Sequence, residues 1–267
     1  MNKRWGPFVA AVIIVTGCSR SGVQGDGVVT TEKRPTDDFS QIVVEGAYQF
    51  HWSCGKPVLN LSADQNLLPL IKTSVSDHTL KIGSTEKLAP SENVTITLSS
   101  ASLTDVQLNG GNSLKIRRIS APDLKLESNG ASDICVEGIV TNLQATLTGA
   151  SKLKSTSLQT QNVTLSLVGA SDADVTVSGT LKVSITGAGS LTYRGNPESV
   201  EKHIVGTGRI RQRPLRRTRH GSALRGIYTF VARRRSYLQT PFSRRYERTH
   251  SKHREVLKRV GRRHILC

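Results

Sequence analysis

The chain has 267 residues, a formal net charge of +17, 4% aromatic residues and a single Met. Its length fits one large or two small domains, and an apolar supply made mostly of Val, Leu, Ile and Ala suits thin regular layers rather than a thick globular core. A charge of that size ordinarily points to nucleic acid or an anionic membrane, but it is concentrated: beyond Arg211 stand 15 Arg and 2 Lys against only Glu247 and Glu255, and the rest is nearly neutral.

In chain order, the first element is an address. Lys3 and Arg4 precede an apolar run from Phe8 to Val15, which is too short to cross a bilayer as an ordinary helix. The run closes on Val15-Thr16-Gly17-Cys18, which resembles the lipobox of bacterial lipoproteins. That resemblance implies a signal peptide over residues 1–17, cleavage before Cys18, and a diacylglycerol on the Cys18 thiol. Ser19 follows where an Asp would favour the inner membrane, so the expected location is the outer membrane of the cell envelope. More than one acyl chain anchors firmly, at about 0.8 kcal/mol per buried CH₂. Residues 18–38 are Gly-rich and polar and read as a tether.

The turns "GGNSL", "GASDI", "GASKL", "GASDA", "GAGSL" and "GTGRI" begin at Gly110, Gly130, Gly149, Gly169, Gly187 and Gly206, at intervals of 20, 19, 20, 18 and 19 residues. So steady a period marks a solenoid. Four residues after each turn glycine stand Leu114, Ile134, Leu153, Ala173, Leu191 and Ile210. Alternating triplets such as Leu143, Ala145, Leu147 and Val163, Leu165, Leu167 precede the next turn. Period-two alternation predicts strands with one face in and one face out. A third column, Ile119, Ile139 and Leu158, is expected to turn the middle corner. Each repeat is then one coil of about 20 residues in an all-β parallel β-helix, stacked about 4.8 Å apart. Glycine accepts the positive φ a tight corner needs, and small Ala and Ser let corners stack.

Upstream, "DDFSQIVVEGAYQFHWSCGKPVLNLSADQNLLPLIKTSVSDHTLKI" reads as strand, strand, a turn at "DQNLLPLI", and another strand. Joined to "NVTITLSSASLTDVQLNGGNSL" and the Gly-Ala-Ser coils, residues 39–210 resemble the putative auto-transporter adhesin head GIN domain family. The resemblance implies a right-handed parallel β-helix in an envelope protein. It supplies no catalytic residues, no metal site and no cofactor.

Parallel β-helices also carry polysaccharide-cleaving enzymes, whose sites need clustered carboxylates beside a base. The position before the first column reads Ser113, Asp133, Lys152, Asp172, Ser190, Arg209. Alternation of Asp133, Lys152 and Asp172 relieves repulsion between neighbouring coils, as a solvated charge ladder does. Asp172 and Asp174 share a face, but two carboxylates make a poor calcium site. His51, His78 and His203 are scattered, and nothing in the spacing brings Cys54 to Cys135. Outward Thr, Ser, Asn and Gln suit glycans or other proteins, though every solenoid needs a polar exterior.

From residue 211 to 267 the pattern changes: Arg displaces Lys, Asp and Asn vanish, and the repeat stops. Three readings stay open. A basic arm could bind anionic surfaces such as lipopolysaccharide, nucleic acid being out of reach of an exported chain. A disordered appendage fits the high charge, and a shifted reading frame fits the abrupt change in usage. The expectation is a non-enzymatic envelope lipoprotein serving surface interaction or structure; the alternatives are a glycan-active enzyme and a protein binding anionic surfaces through its tail.

Overall fold

A computed structural model of the chain describes residues 22–214. The expected signal peptide, Cys18 and all of the tail after residue 214 lie outside the described residues. The strands run β1 (Val23–Gln24), β2 (Val29–Arg34), β3 (Gln41–Gly46), β4 (Gln49–Cys54), β5 (Val58–Asp64), β6 (Ile71–Ser76), β7 (Thr79–Ser84), β8 (Leu88–Ala89), β9 (Thr95–Ser100) and β10 (Asp105–Gly110). Four long bent strands follow, β11 (Ser113–Gly130), β12 (Asp133–Gly149), β13 (Lys152–Gly169) and β14 (Asp172–Gly187). The series ends with β15 (Ser190–Arg194), β16 (Ser199–Gly206) and β17 (Arg209–Arg213).

The long strands each travel once round a parallel β-solenoid of about 5 turns. Parallel pairing joins β10 to β11, β11 to β12, β12 to β13 and β13 to β14, and β14 carries β15 and β16 as the last coil. The apolar columns expected from alternation are stacked inside. Leu114, Ile134, Leu153, Ala173 and Leu191 are buried in one continuous column, and Leu124, Leu143, Val163 and Leu181 in another.

The corner column is different. Ile119 and Leu158 are buried, but Ile139 is 59% exposed and Val140 takes the inward place. Bulges shift the register between Ile116 and Ile119 and between Cys135 and Glu137, which aligns Ile119 with Gly138 and Gly138 with Leu158. The coil carrying Ile139 is one residue shorter up to its corner than its neighbours, and a one-residue slip turns a side chain to the other face.

The first coil precedes the regular repeat. β3 pairs with β10 and places Gly46 beside Gly110, while β4 pairs with β11 and places Phe50 beside Leu114 and Trp52 beside Ile116. Between β4 and β10 the chain inserts antiparallel pairs: β5 with β9, and β6 with β7. Trp52 fills the inside of this wider end, its indole N–H donating to the Ser100 hydroxyl at 2.9 Å.

The tether expected over residues 18–38 is corrected from Val23 to Arg34. β2 pairs antiparallel with β5 over six residues, and β1 pairs with β8. The run Val28-Val29-Thr30-Thr31 is β-branched, and its strand preference outweighs the surrounding polar residues. Arg34 donates from its guanidinium to the carbonyls of Ile71 and Leu68 at 2.6 and 2.8 Å, which ties β2 to this end of the solenoid. At the other end, β17 carries the solenoid to Arg213, past the boundary expected at 210.

Candidate interaction surface

The corners fix how the outer faces are presented. Gly46, Gly110, Gly130, Gly149, Gly169, Gly187 and Gly206 are register partners in succession, and all have positive φ. Two residues on, Asn112, Ser132, Ser151 and Ser171 turn inward and are buried. Each serine hydroxyl donates to the turn-glycine carbonyl of the preceding coil: Ser132 to Gly110 at 3.3 Å, Ser151 to Gly130 at 3.2 Å, Ser171 to Gly149 at 3.3 Å. The same oxygens accept backbone N–H bonds from Asn112, Ser132 and Ser151. Serine therefore stands here because buried backbone groups at the corner need partners.

Asp133, Lys152 and Asp172 are register partners on neighbouring coils, on the outward face, followed by Ser190 and Arg209. The ion pair formed there is diagonal: Lys154, not Lys152, approaches Asp133 at 3.0 Å, with both side chains about half exposed. Such a pair contributes about 0–1 kcal/mol. Ser190 donates to Asp172, and Lys152 forms no ion pair among the described residues. The next outer face carries an amide ladder, in which Asn142 donates to Asp123 at 2.8 Å and Asn162 to Asn142 at 2.9 Å.

A groove of about 640 Å³ opens on the outward side of β4, β9, β11 and β12. His51, Ser53, Thr97, Lys115, Arg117, Arg118 and Glu137 line it. His51 is the register partner of both Lys115 and Thr97, and Ser53 of Arg117. Burial, then the Lys115 and Arg117 charges, hold the His51 imidazole below its usual pKa. Arg118 stands in the left-handed region at φ 55°.

The other histidines are elsewhere: His78 sits at positive φ in the β6–β7 turn, and His203 is exposed on β16. Among the described residues no three His, Cys, Asp or Glu side chains converge as a metal site would require. Cys135 is a free, half-buried thiol, so it does not pair with Cys54. Sequence reading missed Gly46 as the first corner and missed the basic groove. Its contributors, "HWS" and "KIRR", lie more than 60 residues apart and meet only through the β4–β11 pairing.

The family model described as "Putative auto-transporter adhesin, head GIN domain" matches residues 38–197. Among solved structures, a putative adhesin from Bacteroides fragilis is 19% identical with a TM-score of 0.61, covering 72% of this chain and 100% of that one. A putative adhesin from Parabacteroides merdae is 19% identical at TM-score 0.45, covering 72% and 98%. A structure described as a putative lipid binding protein from Parabacteroides distasonis is 20% identical at TM-score 0.43, covering 72% and 99%. No curated protein matches the sequence.

Proposed function

The chain belongs to the putative auto-transporter adhesin, head GIN domain family, and from that premise we propose that it is a non-enzymatic interaction module displayed at the bacterial cell envelope and held to a membrane through a lipid on Cys18. An adhesin-like family is one of envelope or surface proteins, and its description names no reaction. The lipid anchor rests on Val15-Thr16-Gly17-Cys18 behind a short apolar run.

The observation that carries the interaction reading is the exterior of the coils. Strands several coils deep present rows of Thr, Ser, Asn, Gln and charged side chains at the fixed spacing of a sheet. Interior columns and corner glycines hold those rows in place without loops. A rigid, repeated polar face of this kind suits glycans or envelope proteins, because donors and acceptors are positioned before the partner arrives.

The test is retention of purified full-length protein on immobilised glycans and on intact bacterial cells, with heat-unfolded protein as control. Saturable retention of the folded protein alone is expected. Turnover of any of those glycans, measured as new reducing ends and abolished by Asp133→Ala or Asp172→Ala, would overturn the non-enzymatic reading.

A further inference from the structure

We propose that the groove between β4 and β11 binds an acidic saccharide, a glycan whose carboxylates or sulfates are held by Lys115, Arg117 and Arg118. The proposal rests on the reading of the exterior as an interaction surface and names the chemistry of one site on it.

Charge is the first argument. Several cations elsewhere on the coils are matched: Lys125 to Glu127 at 2.6 Å, Lys154 to Asp133 at 3.0 Å, Lys182 to Glu201 at 3.2 Å. In the groove three cations and an imidazole share one carboxylate, Glu137, and among the described residues none of them forms an ion pair. Burial first, and then the Lys115 and Arg117 charges, hold the His51 imidazole below its usual pKa. An anion entering the groove relieves the repulsion among these charges and is held by planar guanidinium forks, which match the two oxygens of a carboxylate or sulfate.

Backbone geometry is the second. Arg118 holds φ 55°, in the left-handed region that favours glycine over a residue with a side chain. On the neighbouring coil Gly138, the register partner of Ile119 next to Arg118, holds φ 139°. Glycine is available to this fold at such corners, and at Arg118 the chain has a guanidinium directed at the groove instead.

Shape and lining choose the partner. About 640 Å³ lies within the range of small-ligand sites, roughly 300–1,000 Å³. The Ser53 and Thr97 hydroxyls flank the cations and suit the hydroxyls of a sugar ring. Trp52 borders the groove but is 2% exposed, with its N–H already given to Ser100, so no open aromatic face is offered for stacking a base.

The experiment uses the full chain with three probes, polygalacturonate, dextran sulfate and neutral dextran, and follows both binding and the His51 imidazole by NMR. His51 faces Lys115, Arg117 and Arg118 from β11 and Glu137 from β12, with only neutral Thr97 from β9. A bound anion therefore raises its pKa. We expect that rise with polygalacturonate, dextran sulfate or both, and not with dextran; which acid acts separates a carboxylate ligand from a sulfate ligand. Arg117→Gln with Arg118→Gly, the second of which also removes the backbone cost, should weaken binding at least tenfold and abolish the His51 shift. Lys182→Gln, on a distant coil, should change neither. If a polyanion binds while His51 stays unmoved, or if Lys182→Gln weakens binding equally, the site is overturned and a glycan-binding exterior stands. If no saccharide is retained at all, the site and the glycan reading both fall.

Discussion

A Cβ placed on Gly149 would lie 2.3 Å from the carbonyl oxygen of Gly130, the corner residue of the coil beneath it. Gly149 also holds φ 105°, so two independent constraints exclude a side chain there. The same contact recurs along the ladder, with the matching distance 2.1 Å for Gly110 against Gly46 and 2.5 Å for Gly206 against Gly187. Gly149→Ala must both strain the backbone and separate two coils. We expect a loss of about 2–4 kcal/mol, read as a lower urea midpoint; an unchanged midpoint would contradict the ladder.

Ser151 satisfies three buried groups. It donates to Gly130 O at 3.2 Å and accepts from Ser132 N at 3.2 Å, which leaves Ser128 as the donor of the 2.9 Å hydroxyl contact. Ser151→Ala should destabilise by about 1–3 kcal/mol, the cost of buried unpaired polar groups. Hydrogen exchange should locate the loss at Ser132 and its neighbours. Ser113→Ala, at a half-buried position whose hydroxyl takes no part in the corner network, should cost far less in the same assay.

Asp64 ties the amino-terminal segment to the solenoid. Its carboxylate accepts from Gly27 N at 3.0 Å, from Ser91 N at 2.9 Å and from the Ser91 hydroxyl. The hydrogen bond from the Ser91 hydroxyl is the leading cause that holds its pKa below the usual carboxylate value, against burial, which raises it. A carboxyl with a depressed folded pKa contributes stability that is present above its unfolded pKa and is lost as pH falls through the folded one. Thermal melts of the wild type should therefore fall on acidification below about pH 4. Asp64→Asn should melt lower at neutral pH and lose much of that dependence; a parallel acid profile would refute the role.

Lys202 occupies an interior column. Leu126, Ala145, Leu165 and Val183 stack below it, and on the last coil the lysine reaches over the Tyr193 ring at 5.7 Å. Its neighbours in β16, Val200 and Ile204, are exposed at the end of the stack. An inward charge on a terminal strand discourages another strand from adding there. Lys202→Val should thus promote self-association, seen by sedimentation as higher-order species at concentrations where the wild type shows none.

Much of the coil geometry was legible because a solenoid writes one coil many times. The interior columns follow from alternation, and the corners follow from glycine at a fixed interval. Gly46 carried the same mark, with Phe50 four residues after it, but it stands 64 positions before Gly110, and the strands inserted between β4 and β10 hide the period. Ile139 was misplaced because a bulge changes register without changing spacing. β2 was read as linker because its pairing to β5 is non-local and its faces are mostly exposed. The groove was not legible at all, since strand pairing across the insert is what joins His51 to Lys115.

The measurement that bears most directly on a lipid-anchored surface module is the intact mass of the protein taken from bacterial membranes. The account predicts a chain that begins at Cys18 and carries the added mass of acyl chains. A chain that begins elsewhere, or at Cys18 with no acyl mass, would contradict it.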